Sequence, residues 1–515
     1  MAIGNGISLE SWIWNAACAI RGAQDAPKYK DFILPLIFVK RLCDVFDDEI
    51  DRISQKVDSK EKAYKLIEKD RKLIRFYIPL RPKDLTKPTW SVIRVLSSKI
   101  GEQLTKYLRQ IAKENPRLHG IVDRVDFNAT THGQRDIDDN LLSNLIEEIS
   151  KKRLGINDVE PDIIGRSYEY LIRKFAEGGG QSAGEFYTPM EVGLIMARIL
   201  DPEPGMEVYD PCCGSAGLLI KCQIALNEKM QLRSRNKYAP LKLYGQEFLV
   251  NTWAMANMNM IIHDMEGEIE IGDTMRAPKF RDRGKLRTFE RITANPMWNQ
   301  SIFTQKDYEN DEYDRFITSL PPNGTADWGW MLHIFASLKP KGRAAVVLDT
   351  GAVSRGSGNQ GTNREKDIRK WFVDNDFIEG VLYLPENLFY NTSAPGVVVF
   401  INKKKVVEQK NKIILINASK EFSKGQPKNF IPEENQNRIV ETYLNWKENE
   451  KFSKVIGVEE IIKNDYNLSP TRYIHTAEDE IYRPIGEILE ELNGLEQESN
   501  EIDKNLKEIF KKLGY

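Results

Sequence analysis

Asn295-Pro296-Met297-Trp298 puts a side-chain amide, a proline-fixed turn and an indole within four residues. That set suits alkylation of an exocyclic amine on an aromatic base. Such an amine is a poor nucleophile, because its lone pair is delocalised into the ring. Two acceptors on its hydrogens, the Asn295 side-chain oxygen and the Pro296 carbonyl, can draw the nitrogen toward tetrahedral geometry and free that pair. Pro296 fixes the turn. Trp298 offers a face for a stacked base, an interaction of about 1–3 kcal/mol. A base inside a duplex is out of reach, so it must be flipped out. No nucleophile or metal is demanded; proximity and preorganised polar groups carry the work. Standing alone, the same peptide would read as a turn with a buried tryptophan.

A second constellation changes that reading. Asp210-Pro211-Cys212-Cys213-Gly214-Ser215-Ala216-Gly217 follows an apolar run and precedes a helical one. Glycines there let the backbone turn sharply and approach a ligand closely, and the helix start offers free N–H groups. Gly245-Gln246-Glu247 follows the next apolar run, where an acid can accept from two ribose hydroxyls. Gly272-Asp273 follows the third, where a carboxylate can meet an adenine amino group, and Asn295 follows the fourth. Any one of these acids is as readily a helix cap; four in register are harder to dismiss. The loop lacks the Gly-x-Gly-x-x-Gly order, and the chain has no Gly-x-x-x-x-Gly-Lys-Ser/Thr, so neither a dinucleotide nor P-loop ATP hydrolysis is supported. An aspartate at the strand end suits a cationic ligand, and S-adenosylmethionine, with its ammonium and sulfonium, is one. Pro211-Cys212 matches by letters the nucleophile of cytosine-C5 methylation, but it sits in the cofactor loop rather than the base loop.

These positions require a scaffold of alternating strands and helices. Strands are expected at 206–209, 241–244, 268–271, 291–294, 344–348, 380–384 and 397–401, with a further apolar run at 413–416. Helices are expected at 164–175, 192–200, 218–229, 252–262, 329–338 and 365–374, with Gly178-Gly179-Gly180 as a flexible break. Alternation of this kind gives an α/β fold with a mostly parallel sheet, whose ligands sit at the carboxyl ends of strands. The divisions expected are a helical N-terminal domain (1–157), a catalytic domain (158–405), an extension of it (406–475) and a helical tail (476–515). The charged stretch 60–72 reads as a solvated helix face. In the tail, Ile485, Ile488, Leu492, Leu495, Ser499, Ile502, Leu506, Ile509 and Leu513 follow a 3–4 spacing. That seam suits docking on a partner helix, or folding back on its own domain.

Composition narrows the class. With 41% hydrophobic and 29% charged residues the 515-residue chain reads as globular and soluble, and no apolar run approaches the roughly 18 residues of a membrane span. No export signal is evident, and five irregularly spaced cysteines argue for a reducing, cytoplasmic setting and against a disulfide framework. The histidines are scattered, so no metal site is expected. A net charge of −2 implies that contact with nucleic acid is local or shared with a partner.

Together these residues resemble the modification subunit of type I restriction–modification systems, a family of adenine-N6 DNA methyltransferases. The resemblance covers most of the chain. It rests on Ile20-Arg21-Gly22, residues 32–46, Gly184-Glu185-Phe186-Tyr187-Thr188-Pro189, the Asp210 loop, Gly245-Gln246-Glu247, Asn295-Pro296, Pro340-Lys341-Gly342-Arg343 and Leu388-Phe389-Tyr390-Asn391-Thr392. It implies a Rossmann-like class I S-adenosylmethionine-dependent methyltransferase sheet, with an all-α N-terminal domain and a helical C-terminal tail. By position it implies that Glu185, Phe186, Tyr187, Thr188, Pro189 and Met190 close over the methionine part of the cofactor. Asp210, Gly214, Ser215, Ala216 and Gly217 then line its pocket, Glu247 holds the ribose, and Asp273 meets the adenine. Asn295, Pro296 and Trp298 hold the target adenine, with Phe389, Tyr390 and Asn391 as the far wall. The family pattern usually reads Asn-Pro-Pro-aromatic; here Met297 replaces the second proline. The implied partners are double-stranded DNA with a flipped adenine, one specificity subunit per two methyltransferase subunits, and a restriction subunit. A self-sufficient adenine methyltransferase and a catalytically degenerate scaffold are the competing readings.

Overall fold

The computed structural model describes residues 9–20, 29–156, 158–159, 161–178, 188–234, 237–359, 363–390, 392–426, 428–476, 491–492, 494–499 and 502. The chain divides into two compact units, 1–474 and 475–515.

The larger unit is built on nine strands: β1 (Glu207–Asp210), β2 (Lys242–Glu247), β3 (Gly267–Ile271), β4 (Phe289–Ala294), β5 (Leu338–Asp349), β6 (Ile378–Tyr383), β7 (Gly396–Asn402), β8 (Lys412–Asn417) and β9 (Ser453–Gly457). Their order across the sheet is β9-β8-β6-β7-β5-β4-β1-β2-β3. Strands β3, β2, β1, β4 and β5 run parallel; β7 is antiparallel to both β5 and β6, and β9 is antiparallel to β8. The sheet is therefore Rossmann-like with an antiparallel strand inserted near one side. The chain lays down β1, β2 and β3 in one direction and then returns to place β4 on the other flank of β1. That reversal is the switch point where open α/β sheets bind ligands.

Physical chemistry explains the sequence of elements. β7 is buried along its whole length, as the continuous run Val397-Val398-Val399-Phe400-Ile401 requires of a strand covered on both faces. β1 and β4 are locked together by Tyr209 and Phe289, whose rings stack with centroids 4.5 Å apart. Such a pair contributes about 0.5–1.5 kcal/mol beyond its burial.

Helices α1 (Leu9–Cys18), α2 (Lys30–Val57), α3 (Lys60–Lys69), α4 (Ile100–Glu114), α5 (Asp139–Ser150) and α6 (Pro161–Gly178) precede the sheet. α7 (Met190–Leu200) leads directly into β1, and between the strands come α8 (Gly217–Leu232), α9 (Val250–Ile262), α10 (Asp327–Ala336), α11 (Arg364–Asp374) and α12 (Glu433–Leu444). The apolar core of the N-terminal helices takes in Met255, Met258 and Ile262 of α9, so it is continuous with the flank of the sheet. The polar face of α2 is buried too, and it grips the chain entering α6. Leu154 N–H donates to Asp44 Oδ2 (2.6 Å), Ile156 N–H to Asp48 Oδ2 (2.6 Å), and Arg41 Nη1 to Gly155 O (2.8 Å). In α3, Ala63, Tyr64 and Ile67 form the buried stripe while the charged residues face water.

One boundary needs correction: the helix expected over 329–338 ends at Ala336, and Leu338 already pairs in the sheet, fully buried. The sheet is mostly parallel as expected, with β7 and β9 running the other way. The strand β9 went unread: its Lys454 and Val455 are only partly covered, as befits an edge. The N-terminal region also contains a two-residue β pairing, Thr130–Thr131 with Gln134–Arg135. Among the described residues no helix is long and apolar enough to cross a membrane.

In the smaller unit, residues 491–492, 494–499 and 502 are helical, and Leu492, Leu495 and Ile502 are exposed. The other apolar seam positions, Ile485, Ile488, Leu506, Ile509 and Leu513, lie outside the described residues.

Gly380 gives a test of the packing on the β8 side. A Cβ there would lie 2.7 Å from both Ile414 Cγ2 and Tyr443 Cε2, and 2.8 Å from Ile414 O. Gly380→Ala is expected to destabilise the chain by about 1–3 kcal/mol, the usual range for overpacking. Urea unfolding reads this; an unchanged midpoint would contradict the packing.

Candidate active site

The carboxyl ends of β1 and β4 open onto one cavity, with an empty volume of about 480 Å3. It brings together Thr188, Pro189 and Met190, Asp210, Gly214, Ser215 and Gly217, and Asn295. Those residues come from three separate stretches of sequence, so their convergence is a property of the fold. Ala216 is fully buried in the loop. Glu247, Asp273, Pro296 and Trp298 are not among the residues that line the cavity. Glu185, Phe186, Tyr187 and Asn391 lie outside the described residues.

The loop between β1 and α8 is shaped by two left-handed residues, Gly214 (φ 53°) and Ala216 (φ 63°). Its turns are held from below. Cys213 N–H donates to Gln246 O (3.0 Å), Asn259 Nδ2 to Ser215 O (2.9 Å), and Thr274 Oγ1 to Pro211 O (2.6 Å). No side chain caps the start of α8, which leaves its first N–H groups for a ligand. Gly245 permits the close fit, since a Cβ there would meet Cys213 Sγ at 2.9 Å.

Two carboxylates define the electrostatics. Asp210 is 1% exposed, and burial, reinforced by the nearby Glu247 charge, raises its pKa to about 7. Burial likewise raises that of Glu247. Glu247 Oε2 accepts from Gly214 N–H (3.0 Å) and Oε1 from Leu249 N–H (2.8 Å), which ties the end of β2 to the cofactor loop. Each oxygen keeps a lone pair for a ligand hydroxyl. Asp273 is more heavily committed. Its Oδ1 accepts from Met275 and Arg276 N–H (2.9 and 3.1 Å), and its Oδ2 from Arg276 Nη1 (3.0 Å).

The thiols are poor nucleophiles. Burial, followed by the Asp210 and Glu247 charges, pushes both Cys212 and Cys213 well above the ordinary thiol range. A nucleophilic cysteine needs the opposite surroundings, so the Pro211-Cys212 alternative fails.

Asn295 is held on both sides of its amide. Trp298 Nε1 donates to Asn295 Oδ1 (3.3 Å), and Asn295 Nδ2 donates to Thr188 Oγ1 (3.0 Å). An indole N–H is only a donor, so this bond fixes the oxygen's direction and leaves it a second lone pair. Trp298 itself is braced by Phe389, ring centroids 4.8 Å apart at 69°. Gly396 makes room for both: a Cβ there would approach Trp298 Cη2 to 2.9 Å and Phe389 Cε2 to 3.0 Å. Met297 is 47% exposed and does not pack into the turn. Tyr390 is half-buried, and that desolvation raises its hydroxyl pKa.

Sequence reasoning missed the anchor of this turn. Asn299 (φ 53°) donates its N–H to Asp327 Oδ1 (3.1 Å), and its Oδ1 accepts from Arg355 Nη1 (3.0 Å). Arg355 also pairs with Asp327, Asp349 and Glu365. Asp327 is fully buried, so losing Arg355 leaves its charge without a counter-ion, at a cost of about 3–5 kcal/mol. The two residues are 28 positions apart, and no local pattern links them. The pair Lys221 and Glu169, also in the cavity wall, was missed for the same reason.

The raised Asp210 pKa has a measurable sign. Folding lifts it from about 3.9 to about 7, so between those values the folded chain binds more protons than the unfolded one. Its contribution to stability therefore falls as pH rises through that window. Without ligand, Asp210→Asn should gain thermal stability relative to wild type as pH goes from 5 to 8. A melting-temperature difference independent of pH would contradict the assignment.

Comparisons with known proteins agree with this geometry. A family model described as N-6 DNA Methylase matches residues 159–481, and one described as HsdM N-terminal domain matches residues 9–149. The type I restriction enzyme MjaIX methylase subunit of Methanocaldococcus jannaschii is 31% identical, over 98% of this chain and 91% of its own length. The MjaVII methylase subunit of the same organism is 33% identical, over 91% of this chain and 79% of its own. Among solved structures, the type I restriction–modification methyltransferase subunit from Streptococcus thermophilus superposes with a TM-score of 0.74 at 25% identity, covering 90% of this chain and 98% of that one. The chain belongs to the N-6 DNA methylase family, as a modification subunit of the type I restriction–modification kind.

Proposed function

We propose that the chain uses S-adenosylmethionine to methylate the N6 amine of a flipped adenine in double-stranded DNA, at sites chosen by a separate specificity subunit. One observation carries the reading. The Asn295 amide, fixed by Trp298 and Thr188, shares a cavity with the Asp210 loop. A base amine and a methyl donor can thus meet inside one crevice.

The residues present fit the cofactor. Asp210 and Glu247 give the loop a negative character suited to a cation, and the uncapped start of α8 offers N–H groups. When bound, S-adenosylmethionine supplies a methyl group on a positively charged sulfur, which leaves as a neutral thioether. Asn295 Oδ1 and the Pro296 carbonyl accept the two amine hydrogens and bring the nitrogen lone pair out of conjugation. Nitrogen gains the methyl carbon and afterwards loses one proton to solvent. Trp298 and Phe389 bound the base, and the Asp327–Arg355 pair keeps the turn from drifting. By their place in the sequence, Glu185, Phe186 and Tyr187, with Thr188 to Met190, would cover the methionine arm, and Asp273 would meet the cofactor adenine.

The partner assignment is supported by the relatives, which are described as methylase subunits of type I restriction enzymes. The net charge of −2 agrees, since a chain gripping DNA unaided would carry more positive charge. Among the described residues after Ile474, the helical Leu492, Leu495 and Ile502 are exposed and fall on seam positions, which suits docking on a partner helix.

Asn295→Ala, assembled with its specificity partner, should lose methyl transfer by about 100-fold or more, as when a preorganised polar group is removed. Calorimetric binding of S-adenosylmethionine should persist. Undiminished methylation would overturn the role of Asn295. Deleting the chain from Ile481 onward should leave cofactor binding intact and abolish co-purification with the specificity subunit; normal assembly would refute the docking role.

A further inference from the structure

Lys221 of α8 and Glu169 of α6 form an ion pair at 2.5 Å, with side chains only 5% and 7% exposed. Both line the cavity that contains Asp210 and Asn295. A buried ion pair adds little stability over two apolar residues of similar size. Its position in a ligand cavity therefore asks for another account.

Three details point to a ligand. A lysine ammonium has three N–H donors. Among the described residues Lys221 has one hydrogen-bond partner, Glu169, and burial leaves little water for the rest. Gly193 of α7 stands against the lysine stem, where a Cβ would lie 3.2 Å from Lys221 Cγ, so the backbone opposite keeps clear of the side chain. Thr188 and Pro189 line the same cavity, and the uncapped start of α8 lies one turn before Lys221. This wall thus presents a cation, an adjacent anion and free N–H groups. A small zwitterion with a carboxylate beside an ammonium is its complement. The α-amino acid end of S-adenosylmethionine has that chemistry; the adenosine end does not.

We propose that Lys221, held in place by Glu169, binds the α-carboxylate of the cofactor's methionine arm. Glu169 orients the lysine and faces the ammonium. The inference rests on S-adenosylmethionine being the cofactor. It assigns Lys221 to discrimination between the intact cofactor and forms lacking the carboxylate, which is separate from the base chemistry at Asn295.

The test is a binding cycle on the full chain by titration calorimetry. The ligands are S-adenosylmethionine, its decarboxylated form and 5′-methylthioadenosine, which lacks the amino acid altogether. Wild type should bind S-adenosylmethionine at least tenfold tighter than the decarboxylated form. In Lys221→Met that preference should collapse to within about twofold, with 5′-methylthioadenosine binding unchanged, and Lys221→Arg should restore most of it. Lack of preference in wild type would overturn the proposal without any variant. Equal weakening of all three ligands in Lys221→Met would also overturn it, by showing mere structural support. Failure of wild type to bind S-adenosylmethionine while binding another methyl donor would instead overturn the cofactor reading on which the proposal rests.

Discussion

Two strands, Glu207–Asp210 and Phe289–Ala294, lie side by side and parallel, with Val208 opposite Arg291 and Tyr209 opposite Ile292. Everything else at the site depends on that pairing. Parallel strands end on the same side, so the residues that follow them must emerge into a common crevice. The loop from Asp210 and the turn from Asn295 are 85 residues apart in sequence yet share one cavity. The Tyr209–Phe289 stack beneath them resists any slip of one strand against the other. A register shift of one residue would turn each side chain to the opposite face and remove Asp210 and Asn295 from the crevice.

The site is organised by burial rather than by a strong net field. Its carboxylates, Asp210 and Glu247, lie where water is scarce, and their pKa values rise in consequence. A cation entering the loop relieves that penalty, which makes ligand charge part of the recognition. The same burial keeps the neighbouring thiols protonated and out of the chemistry. The base turn is managed differently. Its amide is oriented by the local donor-only indole and by Thr188, and its far end by the Asp327–Arg355 pair, so a loop lacking the second proline is held by tertiary bonds at both ends. Met297 falls on the exposed side of that turn, away from the groups doing the holding.

Much of the fold and the outline of the site could be read from the chain because local signals agreed with the global one. The central strands carry apolar runs such as Val397-Val398-Val399-Phe400-Ile401 and Ala344-Ala345-Val346-Val347-Leu348, and the polar motifs follow strand ends. Asp210, Glu247, Asp273 and Asn295 could therefore be placed at strand ends before any coordinate was known. The strand at Ser453–Gly457 was missed because an edge strand with lysine at its second position lacks that pattern. The boundary at Leu338 was misread because Leu338 fits the helical stripe as well as it fits the strand. The Asp327–Arg355 and Lys221–Glu169 pairs were invisible for a deeper reason. Each is a long-range contact between residues that look locally like ordinary helix or turn positions, and only the packed fold makes them neighbours.

The central claim is that Asn295 and the Asp210 loop serve one reaction on one base. The most direct measurement is a structure of the assembled enzyme with S-adenosylmethionine and its DNA. The account requires a flipped adenine whose N6 lies at hydrogen-bond distance, about 3 Å, from both Asn295 Oδ1 and the Pro296 carbonyl, with the donor methyl on its open face. A flipped base held elsewhere, or a cofactor seated away from residues 210–217, would contradict it.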